Sequence, residues 1–214
     1  MKNFIFKRFK NKHKGETAVL FGSGPTANEY KPIEGVDINV GCNFIGDLPL
    51  FNQRQPSYEM LDYYFFGDRG RSMNKFFKVK EEKFGASEVN GQPHPLHYSD
   101  EEVISLGASP MSVNNDNPAF SLDISENPTH GQSVIFHALN FLFWVGVCKI
   151  YIVGCDCSQR QCFDGREIIN SGNGTYDAYK AGWISAKNFI EKNNLNTKII
   201  SVNPIGLKGM FEEI

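Results

Sequence analysis

A short apolar run, Thr17 to Phe21, opens directly onto Gly22-Ser-Gly-Pro-Thr26, and this junction constrains the fold more than any other feature of the chain. An uninterrupted run of this length is typical of a strand buried on both faces of a parallel sheet. Two glycines at its end allow a phosphate to approach the backbone closely, and Pro25 suits a first helical position whose N–H would have no partner in any case. The expected product is a strand, a tight turn and a helix start whose N–H groups hold a phosphate. A tight strand-to-helix turn without any ligand is the plainer reading of the same residues.

The rest of the chain repeats the alternation. Further strands are expected at 37–41, 62–66, 149–153 and 198–202, and helices at 133–145 and 177–193. The connector between the first two strands is brief, so its crossover helix must be short or irregular. Between 71 and 128 the pattern weakens; the charged stretch 75–84 suggests a helix, and Pro93, Pro95, Pro110 and Pro118 punctuate the remainder of that region. The expectation is a single α/β domain over 15–214, Rossmann-like, with a mostly parallel sheet, helices on both faces and an irregular middle insertion at about 71–128.

Length and charge narrow the function. With 214 residues and 41% hydrophobic composition the chain buries a core without staples, and a net charge of -2 gives nucleic acid no bulk attraction. Cys42, Cys148, Cys155, Cys157 and Cys162 form an odd set with no secretory leader before it, which suits reduced thiols in a cytoplasmic protein. The spacing of Cys155, Cys157 and Cys162 lacks the paired gaps of structural zinc sites, so no metal is assigned. The apolar stretch 134–147 is broken by His137, Asn140 and Gly146 and reads as a buried helix, with His137 a core histidine. Residues 1–14 carry six bases and no acid among Phe4, Ile5, Phe6 and Phe9. They describe either an amphipathic segment lying on an anionic membrane, at the inner face of which the protein would work, or a solvated, frayed end.

Four groups of residues carry candidate chemistry. Gly22, Ser23, Gly24, Pro25 and Thr26 form the first, and with Ala27 they match the dinucleotide fingerprint of a dehydrogenase. Against that rival, Pro25 removes a donor, and the second strand leads to Asn43 where an acid would grip a ribose. Asn43 itself lies at the strand edge where open α/β sheets bind ligands; its amide suits a phosphate or sugar hydroxyl, and equally a turn. The third group, Thr129, His130, Gly131, Gln132 and Ser133, precedes an apolar helix whose free N–H groups make a polar patch, with Thr129 or Ser133 as its cap. Asp156 follows the fourth expected strand and could orient a sugar, bind magnesium or act as a base, or merely cap a loop. The polar stretch 158–174 has the composition of a mobile lid.

These separated motifs, in this order, resemble the superfamily of bacterial sialyltransferases (glycosyltransferase family 42) and the related domain of unknown function 115, which includes flagellin-modifying glycosyltransferases and pterin diphosphokinases. The resemblance rests on Val19 to Thr26, Val40-Gly-Cys-Asn43, the block from Thr129 to Asp156, and Ile200-Ser-Val-Asn-Pro204. It implies a cytidine-monophosphate sugar donor held by Gly22, Ser23, Gly24, Asn43 and the 129–133 patch, and extends the substrate contacts to Ser158 and Asn203. The family's histidine base has no counterpart in Asn173-Gly-Thr-Tyr-Asp177, and its lid tyrosines are replaced by Ser158 and Phe163. The expected activity is therefore glycosyl transfer from a nucleotide sugar, with a cytidine-monophosphate nonulosonic acid as the leading donor. The acceptor would be a glycan or lipid-linked, and the base His130, Asp156 or Asp177, in that order. No cofactor is expected, and a homo-oligomer is open. Two alternatives stand beside it: a diphosphokinase-like enzyme using ATP with magnesium on Asp156 or Asp68, and a nucleotide-sugar-binding module without catalysis.

Overall fold

Strand β1 (Thr17–Phe21) forms where the sequence places it, and its alternate residues serve two cores. Ala18 and Leu20 point to one face of the sheet, Val19 and Phe21 to the other, and all four are inaccessible to solvent. In the computed structural model of the chain the described residues are 4–43, 45, 61–66, 80, 82–85, 88–89, 92–93, 103–105, 119–127, 129, 133–158, 161–165 and 175–214. The remaining strands are β2 (Ile38–Cys42), β3 (Tyr63–Phe66), β4 (Glu82–Gly85), β5 (Glu88–Val89), β6 (Gln92–Pro93), β7 (Val103–Ser105), β8 (Lys149–Val153), β9 (Lys198–Ser201) and β10 (Glu212–Glu213). Among the described residues two α-helices join them, α1 (Val134–Val145) and α2 (Thr175–Lys192).

Eight strands make one sheet in the order β10-β9-β8-β1-β2-β3-β4-β7, and every neighbouring pair is parallel. The chain builds outward from β1 through β2, β3, β4 and β7, then returns to lay β8, β9 and β10 on the other side. The order therefore reverses between β1 and β8, and the carboxyl ends of these two strands are where an open α/β sheet offers a crevice. The Rossmann-like α/β architecture expected from the sequence is what the chain adopts.

Both α-helices and the N-terminal 3-10 helix Phe4–Phe9 pack on one face, around Phe136, Phe141, Leu142 and Trp183. The other face is covered in part by the 3-10 helix Pro25–Glu29 and by Phe163. Helix α1 meets the amino edge of the sheet at its C-terminus, since Gly15 N–H donates to Gly146 O (3.0 Å) and Cys148 N–H to Glu16 O (2.9 Å). Its twelve residues are about as long as a five-residue strand, so its N-terminus stands at the carboxyl edge. Helix α2 runs the same way, because the chain after it returns to the amino edge where Lys198 N–H donates to Cys148 O (2.9 Å).

Three expectations change. The stretch 75–84 does not continue as a helix to its end: 82–85 is strand β4, whose Phe84 stacks on Phe65 with ring centroids 4.5 Å apart. Within the middle region, β4 and β7 join the main sheet, while β5 and β6 form a separate antiparallel pair. The N-terminus is not a frayed end from Phe4 onward. Phe6 and Phe9 are 4% and 2% exposed, pack against Phe84 and Phe141, and Trp144 Nε1–H donates to Phe6 O at 2.8 Å. Two of the apolar residues that a membrane-lying helix would need, Phe6 and Phe9, are thus spent on the core, while Ile5 is exposed. Of the six bases, Lys7 is also in an ion pair with Glu126 at 3.6 Å and Arg8 with Glu82, and His13 Nδ1 lies 2.8 Å from Glu16. Among the described residues no helix is long and apolar enough to cross a membrane.

Candidate ligand site at the carboxyl edge

Three loops meet backbone to backbone beyond β1, β8 and β9. Gly22 N–H donates to Val153 O (2.8 Å), Gly24 N–H to Gly154 O (2.7 Å), and Gly206 N–H to Asp156 O (2.8 Å). A Cβ at Gly22 would stand 2.6 Å from Gly154 O, and one at Gly206 2.5 Å from Asp156 O. Gly154 answers with φ +64, a left-handed conformation that glycine adopts without strain. The glycines of this junction are therefore required by the chain's own packing.

Asp156 lies at the centre, only 6% exposed. Its Oδ2 accepts from Thr26 N–H (3.0 Å) and its Oδ1 from Thr26 Oγ1–H (2.5 Å). Gly24 has ordinary dihedral angles, φ -71 and ψ 162, so its missing side chain serves space alone. A Cβ there would lie 2.1 Å from Asp156 Oδ2. Burial raises the Asp156 carboxyl above the usual aspartate value, the Thr26 bonds pull it back, and Glu29 adds to the rise. Burial likewise pushes the Cys155 thiol well up, with Cys157, Cys42 and Asp156 adding to the effect. It pushes Cys157 to about 12, partly offset by a hydrogen bond from Trp183. These thiols are protonated at neutral pH, whereas a thiolate is the form that ligates metal or attacks.

At the phosphate cradle expected at Gly22 to Thr26, the chain itself takes up most of the backbone donors. The turn leads into a 3-10 helix of five residues, too short to carry much of a dipole. The N–H groups of Gly22, Gly24, Thr26 and Ala27 are all bonded within the chain, and Pro25 has none. The Ser23 side chain is half-buried and reaches over the end of β2, where its Oγ–H donates to Cys42 O at 3.3 Å.

The other candidates divide. Asn43 holds a left-handed φ of 49 just past β2, half-buried, and its carbonyl accepts from Tyr64 Oη–H. Ser133 takes the N-cap of α1 in extended conformation, φ -134 and ψ 137, with no side-chain cap hydrogen bond. The expected cap at Thr129 fails for a different reason. Thr129 is 4% exposed and its Oγ1–H donates to Asn140 Oδ1 at 2.6 Å, while the Asn140 amide also binds both backbone groups of Ser121. Thr129 thus anchors the chain entering α1 to Asn140. Ser158 and Asn203 are exposed, Asn203 with φ 47 and its N–H on Ile214 O. Asp177 is exposed in the first turn of α2. His130, Gly131, Gln132 and Asp68 lie outside the described residues. His137 is 7% exposed, in the core as expected.

Part of the expected lid is docked. Phe163 is 7% exposed, its N–H donates to Ser23 O at 2.9 Å, and Asn28 Nδ2–H donates to its carbonyl. The lid residues 159–160 and 166–174 lie outside the described residues. Sequence reasoning missed three partners: the bond from Thr26 to Asp156, the Asn140 anchor, and the pinning of Phe163. Of these only the first left a trace, in the glycines at 154 and 206 that come after strands and mark close backbone approach.

The carboxyl edge therefore has two unlike halves. Over β1 and β8 the polar groups of the three loops bond to one another, while by the end of β2 stand Ser23, on Cys42 O, and Asn43, on Tyr64, both half-buried, and α1 begins at an N-cap whose side chain makes no cap bond. Comparison with known proteins adds nothing to this geometry: no family model, no curated protein and no solved structure matches the chain.

Proposed function

We propose that the chain is a transferase acting on a nucleotide-activated sugar, with a cytidine-monophosphate sugar as the leading donor, bound over β2 beneath the N-terminus of α1. The observation that supports this half of the edge is the N-cap of α1, where the Ser133 side chain makes no cap hydrogen bond to the first-turn N–H groups, on a helix that packs against β1, β2 and β3. A helix of twelve residues has a positive pole there, which favours a departing phosphate. Asn43 and Ser23 would meet sugar or phosphate oxygens from below.

Transfer is a displacement at the anomeric carbon. The acceptor oxygen forms the new bond, the bond to the donor phosphate breaks with its electron pair, and the acceptor proton passes to a base. Among the described candidates Asp177 has the accessible carboxylate, whereas both oxygens of Asp156 already accept from Thr26. For the diphosphokinase alternative, Asp156 is 6% exposed and offers little open carboxylate to a magnesium ion, and Asp68 lies outside the described residues.

Calorimetric titration with cytidine monophosphate, ATP with magnesium, and NAD tests the reading. Binding of the cytidine nucleotide, weakened by about 1–3 kcal/mol in Asn43→Ala, is expected. ATP binding that requires magnesium would favour the diphosphokinase, NAD binding a dehydrogenase, and a lack of binding by all three removes the proposal.

A further inference from the structure

We propose that Asp156 is the resident anion of the crevice between β1 and β8: the chain's own carboxylate occupies the space and the donors that the Gly22–Thr26 turn would otherwise offer a phosphate. The gap opened by Gly24 is filled, since Asp156 Oδ2 lies where a Cβ of residue 24 would fall, at 2.1 Å. The donors are used, Thr26 N–H at 3.0 Å and Thr26 Oγ1–H at 2.5 Å. The N–H groups of Gly22 and Gly24 bond to the Val153 and Gly154 carbonyls, so a second anion would find no donor in them. It would also meet a buried like charge with Glu29 nearby, and like charges at short range in a poorly solvated place repel strongly. Burial of the carboxyl, which favours its neutral form, is resisted by the two Thr26 bonds.

An internal anion explains why a sequence with the spacing of a phosphate-binding turn has spent that turn on packing. It also makes Asp156 a positioning residue: through Thr26 it fixes the turn that carries Ser23 toward β2. The inference stands apart from the nucleotide-sugar reading, because its probes are simple anions.

Thermal unfolding in formate, acetate and inorganic phosphate, against chloride at equal ionic strength, tests it. Wild-type protein should show no Tm response to formate at concentrations where Asp156→Ala, lowered by roughly 4–10 °C, is raised again. Asp156→Asn should keep a Tm near wild type, since an amide still accepts from Thr26 N–H and donates to Thr26 Oγ1. Failure of formate to raise the Asp156→Ala Tm would overturn the proposal. Should Asp156→Ala not fold, the Thr26 amide resonance of the wild-type protein decides: unmoved by millimolar phosphate it supports a resident anion, and a saturable shift overturns it.

Discussion

The two halves of the carboxyl edge are built from similar residues and do different things. Over β1 and β8, small and polar residues close upon one another: Gly24 against Asp156, Thr26 bonded to both carboxylate oxygens, Gly206 against the Asp156 carbonyl. Over β2 and beneath α1, Asn43 stands in left-handed conformation and Ser133 caps a helix without bonding its amides through the side chain. The difference teaches that a glycine-rich turn reports close approach without naming what approaches. A carboxylate of the same chain and a phosphate of a ligand demand the same gap and the same donors.

The largest effect that would break this contrast is at Gly24. A Cβ there meets Asp156 Oδ2 at 2.1 Å and Gly154 O at 2.6 Å, the second a backbone atom that cannot swing away. Gly24→Ala should cost about 3 kcal/mol of stability in urea unfolding, the upper end for overpacking. Unchanged stability would return Gly24 to the role the sequence suggests, a position needed only by a ligand.

Next comes Asp156→Ala, which leaves Thr26 with two buried unpaired donors and should cost roughly 1–3 kcal/mol. A smaller loss, about 1 kcal/mol, is expected of Thr129→Val, since it removes one bond to Asn140 while keeping the shape. Nucleotide affinity of Thr129→Val should be unchanged; a loss of affinity without loss of stability would move Thr129 back among the ligand contacts.

The smallest expected effect is on pH. The folded-state pKa of Asp156 is raised, by burial first and Glu29 after it, so its contribution favours the folded state below the unfolded value and is lost as pH rises through the folded value. The thiols of Cys155 and Cys157 also face it, and both stay neutral across this window because burial holds them high. Compared with Asp156→Asn, wild-type protein should gain Tm as pH falls from neutral toward the ordinary aspartate range. Parallel Tm profiles of the two proteins would show that the carboxyl titrates as it does in the unfolded chain.

Much of the fold was readable because it is local. The strand 17–21 and the strand 149–153 fall where apolar runs place them, and α1 lies between Ser133 and the left-handed Gly146 as cap signals suggest. Strand β4 was not readable, because Glu82-Lys-Phe-Gly85 has one large apolar residue, and its conformation is decided by pairing with β3 and β7. The N-terminus misled in a similar way: Phe6 and Phe9 look like a membrane-facing stripe until Phe84 and Phe141 are seen to receive them. At the carboxyl edge, the sequence places Gly22 to Thr26, Asn43 and Asp156 just past strands, since strand ends can be counted. It does not tell Thr26 from Ser23, because the partner of Thr26 lies 130 positions away.

The central claim is that a ligand enters over β2 and α1 while the β1 and β8 half stays closed. An amide-resolved NMR titration with cytidine monophosphate tests it most directly. The account predicts saturable shifts at Asn43 and at Val134 and Ile135 in the first turn of α1, with Gly24 and Thr26 unmoved. Shifts concentrated at Gly24 and Thr26, with the start of α1 silent, would contradict it.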